Sequence, residues 1–180
     1  MIIMLDEIVA KTKERLEESK KEKSLEELKK EVRQLEITQD FPFKKALSGD
    51  EISIIAEVKR ASPSKGMIAE DFDYLAIAKE YELAGASAIS VLTEPYFFKG
   101  SNDYLREIAE NISIPVLRKD FVIDEYMIWE AKLLGASCVL LIVSILSIVE
   151  LKKFLDLAHD LGLSAISRSE ERRVGKECRS

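Results

Sequence analysis

Cysteine is nearly absent, and Cys138 and Cys178 are the only two in 180 residues. Cys138 lies in the apolar run Ala-Ser-Cys-Val-Leu-Leu and reads as a small buried hydrophobe, whereas Cys178 lies in a charged stretch. So low a count excludes a disulfide framework and makes a reducing cytoplasm the expected compartment. A single histidine, His159, leaves no metal-ligand cluster in view, and its place on an outer helix makes it a surface residue. No apolar run approaches the ~20 residues of a membrane span; the most apolar stretch, Ser137 to Val149, is shorter. The N-terminus has no basic segment ahead of its apolar residues, so no signal peptide is expected. A net charge of -6 argues against nucleic acid, which rewards clustered Lys and Arg. Gly-x-Gly-x-x-Gly is also missing, which disfavours a dinucleotide-binding sheet.

What is present begins with helix. Leu5, Ile8, Val9 and Leu16 recur at helical spacing within residues 4–34, and the many Lys and Glu between them read as a solvated face. Ser24-Leu25-Glu26-Glu27 is a capping box that restarts the helix. Phe41-Pro42-Phe43 breaks the pattern and offers an anchor for this extension on a core. From residue 52 short β-rich runs alternate with helical ones. Strands are expected at Ile52 to Ala56, Ser87 to Leu92, Ile114 to Leu117 and Cys138 to Val143, with a fifth starting at Leu163. Helices are expected around Tyr74 to Tyr81, then at Tyr104 to Ile112, Glu125 to Leu134 and Ile148 to Leu161. Tyr126 and Trp129 sit at core spacing on the third of these and read as packing. A weak repeat places Gly85, Gly135 and Gly162 between a helix and the next strand, where a left-handed cap is wanted. Strands apolar on both faces, separated by helices, predict a parallel α/β sheet, either a β/α barrel or an open doubly wound sheet.

Polar residues gather where these strands end. Glu57, Lys59, Arg60, Ser62, Ser64, Lys65 and Gly66 follow the first, Thr93 and Glu94 the second, Arg118, Lys119 and Asp120 the third, and Ser144 the fourth. In a β/α barrel those ends converge on one mouth, which is where active sites lie. Glu57 and Lys119 would meet there as a proton-transfer pair, or simply as an ion pair across the sheet. The Lys-, Ser- and Gly-bearing loop after the first strand suits an anionic ligand and a mobile lid, or is a solvated basic loop.

Three ordered motifs then become specific. Ile54-Ile55-Ala56-Glu57-Val58-Lys59-Arg60-Ala61-Ser62-Pro63-Ser64 resembles the first-strand signature of indole-3-glycerol phosphate synthases. Leu92-Thr93-Glu94-Pro95-Tyr96-Phe97-Phe98-Lys99-Gly100-Ser101 is similar to the family's second-strand loop. Pro115-Val116-Leu117-Arg118-Lys119-Asp120-Phe121 is similar to its third-strand motif, and Leu140-Leu141-Ile142-Val143 to its fourth. The N-terminal extension is a further family feature. The resemblance covers roughly residues 4–166. It implies an incomplete (β/α)₈ TIM barrel of about four β/α units: a helical extension at 1–45, the partial barrel at 46–166, and a non-native tail at 167–180.

It also implies a chemistry. The family is a carbon-carbon lyase of tryptophan biosynthesis that works in the cytoplasm without metal or organic cofactor. It converts 1-(2-carboxyphenylamino)-1-deoxyribulose 5-phosphate to indole-3-glycerol phosphate, carbon dioxide and water. By the resemblance Lys119 is the acid for the ketone oxygen and Glu57 assists proton transfer. Lys59 and Ser62 hold the anionic substrate, Phe98 and Phe121 wall the anthranilate ring, and Asp120 orients Lys119. The match departs after Ile166. Aligned on Gly162, the family's fifth-strand Glu falls near Arg168, and the remaining text is basic with no strand pattern. The later residues of the family's site, including most of its phosphate cradle, are then missing, so this chain is expected to have weak or no activity. An intact but repurposed binding protein is disfavoured by the presence of Glu57, Lys59 and Lys119 together, and two further alternatives stand beside this reading. One is a phosphoribosylanthranilate isomerase, which the extension and the Glu57/Lys59 motif disfavour. The other is a non-catalytic half-barrel that self-associates through open edges or needs a complementary half.

Overall fold

Main-chain hydrogen bonding follows the expected alternation closely. The computed structural model describes residues 2–68 and 71–169, with side chains from residue 5 onward. Helices α1 (Ile2–Glu22), α2 (Leu25–Val32) and α3 (Pro42–Ala46) precede the sheet. Ser24 caps α2 in a complete capping box with Glu27, so the break between α1 and α2 falls where the sequence placed it. The sheet units are β1 (Ile55–Val58), a hairpin of β2 (Ala61–Ser62) and β3 (Gly66–Met67), α4 (Tyr74–Leu83), β4 (Ala88–Leu92), α5 (Asn102–Asn111), β5 (Val116–Lys119), α6 (Glu125–Leu133), β6 (Cys138–Ile142), a 3₁₀ turn (Val143–Ile145), α7 (Ile148–Asp160) and β7 (Ser164–Arg168).

The five strands β1-β4-β5-β6-β7 lie in chain order and all pair in parallel. This is the (β/α) succession of a TIM barrel that is not closed, since β1 and β7 each have one neighbour among the described residues. Register gives each strand an inner and an outer face. Glu57 pairs with Ser90, Ser90 with Leu117, and Leu92 with Lys119, so these side chains share the inner face. The outer face carries Val58, Ile89, Val91, Val116, Val139 and Leu141 into the main core under the helices. A second cluster fills the inner side: Phe43 with Ala88, Leu117, Cys138, Leu140 and Ile142. Phe43 thus anchors the extension as its sequence position led one to expect, and α3 plugs the end of the sheet opposite the mouth. Cys138 is fully buried there, and burial pushes its thiol up to about 12.

Two expectations shift. The first strand is Ile55–Val58 rather than Ile52 to Ala56, because Ile52 is 94% exposed and pairing with β4 starts at Ile55. Glu57 and Lys119 are therefore inside strands, not after them. The last strand runs to Arg168, two residues into the stretch set apart at 167–180; residues 170–180, with Cys178, lie outside the described residues.

The three repeated glycines share one geometry. Gly85, Gly135 and Gly162 have φ of +90°, +84° and +70°, and the next residue's N–H reaches back to Tyr81, Ala131 and Ala158 respectively. This is the six-residue C-terminal cap that turns a helix into a following strand. Gly162 is the most constrained, since a Cβ there would lie 2.2 Å from the Thr38 carbonyl oxygen. Gly162→Ala is expected to cost on the order of 3 kcal/mol, strain and clash together, in urea unfolding. Gly85→Ala meets open space and should cost only about 1 kcal/mol.

Candidate active site

Lys119 and Glu57, 62 positions apart, meet on the inner face as an ion pair. The second Glu57 oxygen takes Lys59, so one carboxylate holds two ammonium groups. Burial alone would push the Glu57 carboxyl up, but the hydrogen bonds from Lys119 and Lys59 outweigh it and hold it below the usual carboxylate range. All three side chains are only partly buried, at 26–31% exposure, so the group faces an accessible space. Two adjoining clefts of about 110 and 250 Å³ open on it and share Lys119, Leu140 and Arg168. The smaller is apolar, walled by Leu5, Leu92, Phe98, Phe121 and Ile142. The Phe98 and Phe121 rings lie 6.1 Å apart at 37°, a wall for a flat ring beside the Lys119 ammonium.

The β4–α5 loop that carries Phe98 is organised by Glu94, which is 1% exposed. Its carboxylate accepts the N–H groups of Tyr96, Phe97 and Phe98 at 3.0, 2.7 and 3.0 Å. Gly100 closes the loop, because a Cβ there would lie 2.2 Å from the Leu92 carbonyl oxygen. The sequence marked Glu94 only as a polar residue at a strand end; its three acceptor bonds depend on the loop path, which spacing does not reveal.

Two expected site residues are placed differently. Asp120 does not hydrogen-bond Lys119. Its carboxylate has no exposure and accepts from Arg15 (2.9 and 3.0 Å), Thr93 Oγ1 (2.7 Å) and the Phe121 N–H (2.8 Å), with Arg118 at 3.5 Å. Lys119 takes the inner side, and the Asp120 carboxylate is turned into this buried network while the residue still borders the smaller cleft. Ser62 is turned into its own hairpin: its Oγ accepts the Lys65 N–H at 3.2 Å inside the β2–β3 turn and lies 3.4 Å from Ser64 Oγ. His159 is exposed and meets Phe41 edge to face, while Tyr126 is buried and Trp129 packs against the main core, as read. Position 168, where a family base was expected, places Arg168 on the clefts.

Burial would push the Asp120 carboxyl up, but Arg15 and Arg118 outweigh it and hold it below the usual carboxylate range. A carboxyl with a depressed folded pKa contributes stability that is present above its unfolded value of about 3.9 and is lost as pH falls through the folded value. Acid unfolding is thus expected to steepen below about pH 4, and Asp120→Asn should flatten that part of the curve while lowering stability at pH 7. An unchanged acid limb in Asp120→Asn would contradict this.

Among the described residues, no group of three or more His, Cys, Asp or Glu is placed to hold a metal ion, and no helix is long and apolar enough to cross a membrane. Residues 5–171 match the family model described as indole-3-glycerol phosphate synthase. The chain is 51% identical over 169 residues to the indole-3-glycerol phosphate synthase of Ruminiclostridium cellulolyticum, covering 94% of this chain and 65% of that protein. It is 51% identical to that of Leuconostoc mesenteroides subsp. mesenteroides (91% of this chain, 63% of the relative) and 53% identical to that of Endomicrobium trichonymphae (91% and 64%). The chain therefore spans a little under two thirds of the length of these curated relatives.

Proposed function

Because the chain belongs to the indole-3-glycerol phosphate synthase family, we propose that its inner-face residues perform the acid chemistry of that ring closure. The observation that carries this is one constellation: Lys119 and Lys59 on the two oxygens of Glu57, with Lys119 also lining an apolar cleft walled by Phe98 and Phe121. A cation beside an aromatic slot suits a substrate that joins an aryl ring to an anionic ketose. The aryl group of 1-(2-carboxyphenylamino)-1-deoxyribulose 5-phosphate stacks against Phe98 and Phe121, and Lys59 meets one of its anionic groups. As the ring carbon bearing the carboxylate attacks the ketone carbon, Lys119 gives a proton to the ketone oxygen, which would otherwise carry the developing charge. Loss of carbon dioxide returns its bonding electrons to the ring. Departure of the new hydroxyl as water, with a second proton, and loss of a proton from the former methylene carbon together complete the indole. Glu57, ionised at rest, keeps Lys119 charged and aimed; it takes up the proton lost from the former methylene carbon and passes it to the Lys119 amine, which restores the ammonium. No metal or organic cofactor enters these steps, and a cytoplasmic setting suits them.

Asp120 and Ser62 support the mouth from behind in this reading rather than touching substrate. Arg168 stands where a base is wanted, and the described residues supply five of a barrel's eight strands. The 180-residue chain by itself is therefore expected to turn over weakly or not at all. The alternative, a non-catalytic half-barrel that self-associates, draws on the exposure of Ile54 (57%) and Ile55 (39%) at the β1 edge. The test follows indole fluorescence with the 180-residue chain, and with residues 1–166 fused to the part of the Ruminiclostridium cellulolyticum synthase that they do not cover. Turnover by the fusion supports the assignment. A folded fusion with no turnover overturns it, and concentration-dependent light scattering by the chain alone favours the half-barrel.

A further inference from the structure

We propose that Arg15, on the N-terminal helix, is a positioning residue of this site: it clamps the ends of β4 and β5 so that Lys119 and Phe121 face the mouth. The inference rests on the functional reading above and adds a residue to it. Arg15 is 105 positions from Asp120, yet one of its nitrogens holds both Asp120 oxygens, and the other donates to the Thr93 carbonyl at 3.3 Å. Thr93 and Asp120 are the first residues after β4 and β5. They are already joined by Thr93 Oγ1 on Asp120 and by the Thr93 N–H on the Lys119 carbonyl at 3.2 Å. Arg15 therefore closes a ring of bonds around the residue that separates Lys119 from Phe121.

The clamp needs a second cation. Arg118 is 1% exposed and donates to Glu130 at 2.6 Å, to the Met127 carbonyl at 2.8 Å and to Asn102 at 3.1 Å, reaching Asp120 only at 3.5 Å. Without Arg15 the carboxylates of Asp120 and Glu130 would share one guanidinium in a dry environment, and Asp120 would keep only the Thr93 hydroxyl and the Phe121 N–H as close partners. A planar fork can serve two Asp120 oxygens and a carbonyl at once; an ammonium cannot reproduce that geometry. The rest of α1 is held separately, by Lys20 on Asp124 at 2.8 Å and by the Tyr126 hydroxyl on the Ser19 carbonyl at 3.3 Å. Attachment of the helix and clamping of the strand ends can thus be separated by mutation.

The test uses the 180-residue chain with Arg15→Lys, Arg15→Ala and Lys20→Ala. The first readout is affinity for the substrate with its ketone reduced to an alcohol, followed by its arylamino fluorescence. The second is the rate of amine labelling of Lys119 relative to exposed Lys152 on α7. Both Arg15 variants are expected to lose at least about tenfold in affinity and to label Lys119 several-fold faster. Added methylguanidinium should restore part of both in Arg15→Ala, and Lys20→Ala should stay near wild type. An Arg15 variant with a lowered melting temperature but unchanged affinity and labelling ratio would make Arg15 an anchor only. If Arg15→Ala does not fold, Arg15→Lys decides. If the 180-residue chain ignores the analogue, affinity is read in the fusion with the same variants; a folded wild-type fusion that also ignores it overturns the functional reading, while the labelling ratio still reports whether Arg15 positions Lys119.

Discussion

Replacing Lys119 by alanine in the active fusion is expected to lower turnover by about 10²–10⁴-fold, the usual worth of a positioned general acid. Affinity for the ketone-reduced substrate should fall far less, because the ring wall of Phe98 and Phe121 and the Lys59 ammonium remain. The asymmetry follows from when the cation matters. A neutral ketone gains little from an ammonium, whereas the oxygen becomes anionic only as the ring closes. Lys59 cannot take over, since it sits on the opposite oxygen of Glu57. Steady-state and single-turnover rates check this. Equal losses in affinity and turnover would make Lys119 a binding residue alone.

Arg118→Ala is expected to be the most destabilising single change outside the sheet interior, by about 3–5 kcal/mol in urea unfolding. Arg118 lies on the outer face of β5, 1% exposed, and removing it strands the Glu130 carboxylate and part of the charge on Asp120. Combining Arg118→Met with Glu130→Gln should recover part of the loss, because the uncompensated charge goes with its partner. A loss below about 1 kcal/mol for Arg118→Ala would mean that Arg15 alone neutralises the cluster.

Sequence and structure agree where a local rule decides. The capping box at Ser24, the glycine caps at 85, 135 and 162, and the alternation of strands with helices are all written in spans of a few residues. Bringing Glu57 to Lys119 was legible because parallel strands must end on one side. What stayed hidden depends on distant partners or on which way a side chain turns. Arg15 and Lys20 look like any charge on a solvated helix, since their partners are about a hundred positions away. Asp120 borders the cleft, but a strand end does not reveal that its carboxylate meets Arg15 and Thr93 instead of Lys119. Ser62 lies in a hairpin whose two-residue strands are too short to carry a period. The early placement of the first strand came from apolar Ile52 and Ile54, which are exposed at the sheet edge.

The most direct measurement is a crystal structure of the fusion with the ketone-reduced substrate. The aryl ring is expected against the wall of Phe98 and Phe121, with the alcohol oxygen in hydrogen-bond reach of Lys119 Nζ and an anionic group on Lys59. A ligand seated instead in the groove between α3 and β7, lined by Phe41, Phe43, Leu47 and Ile166, would contradict the assignment of Lys119 as the acid.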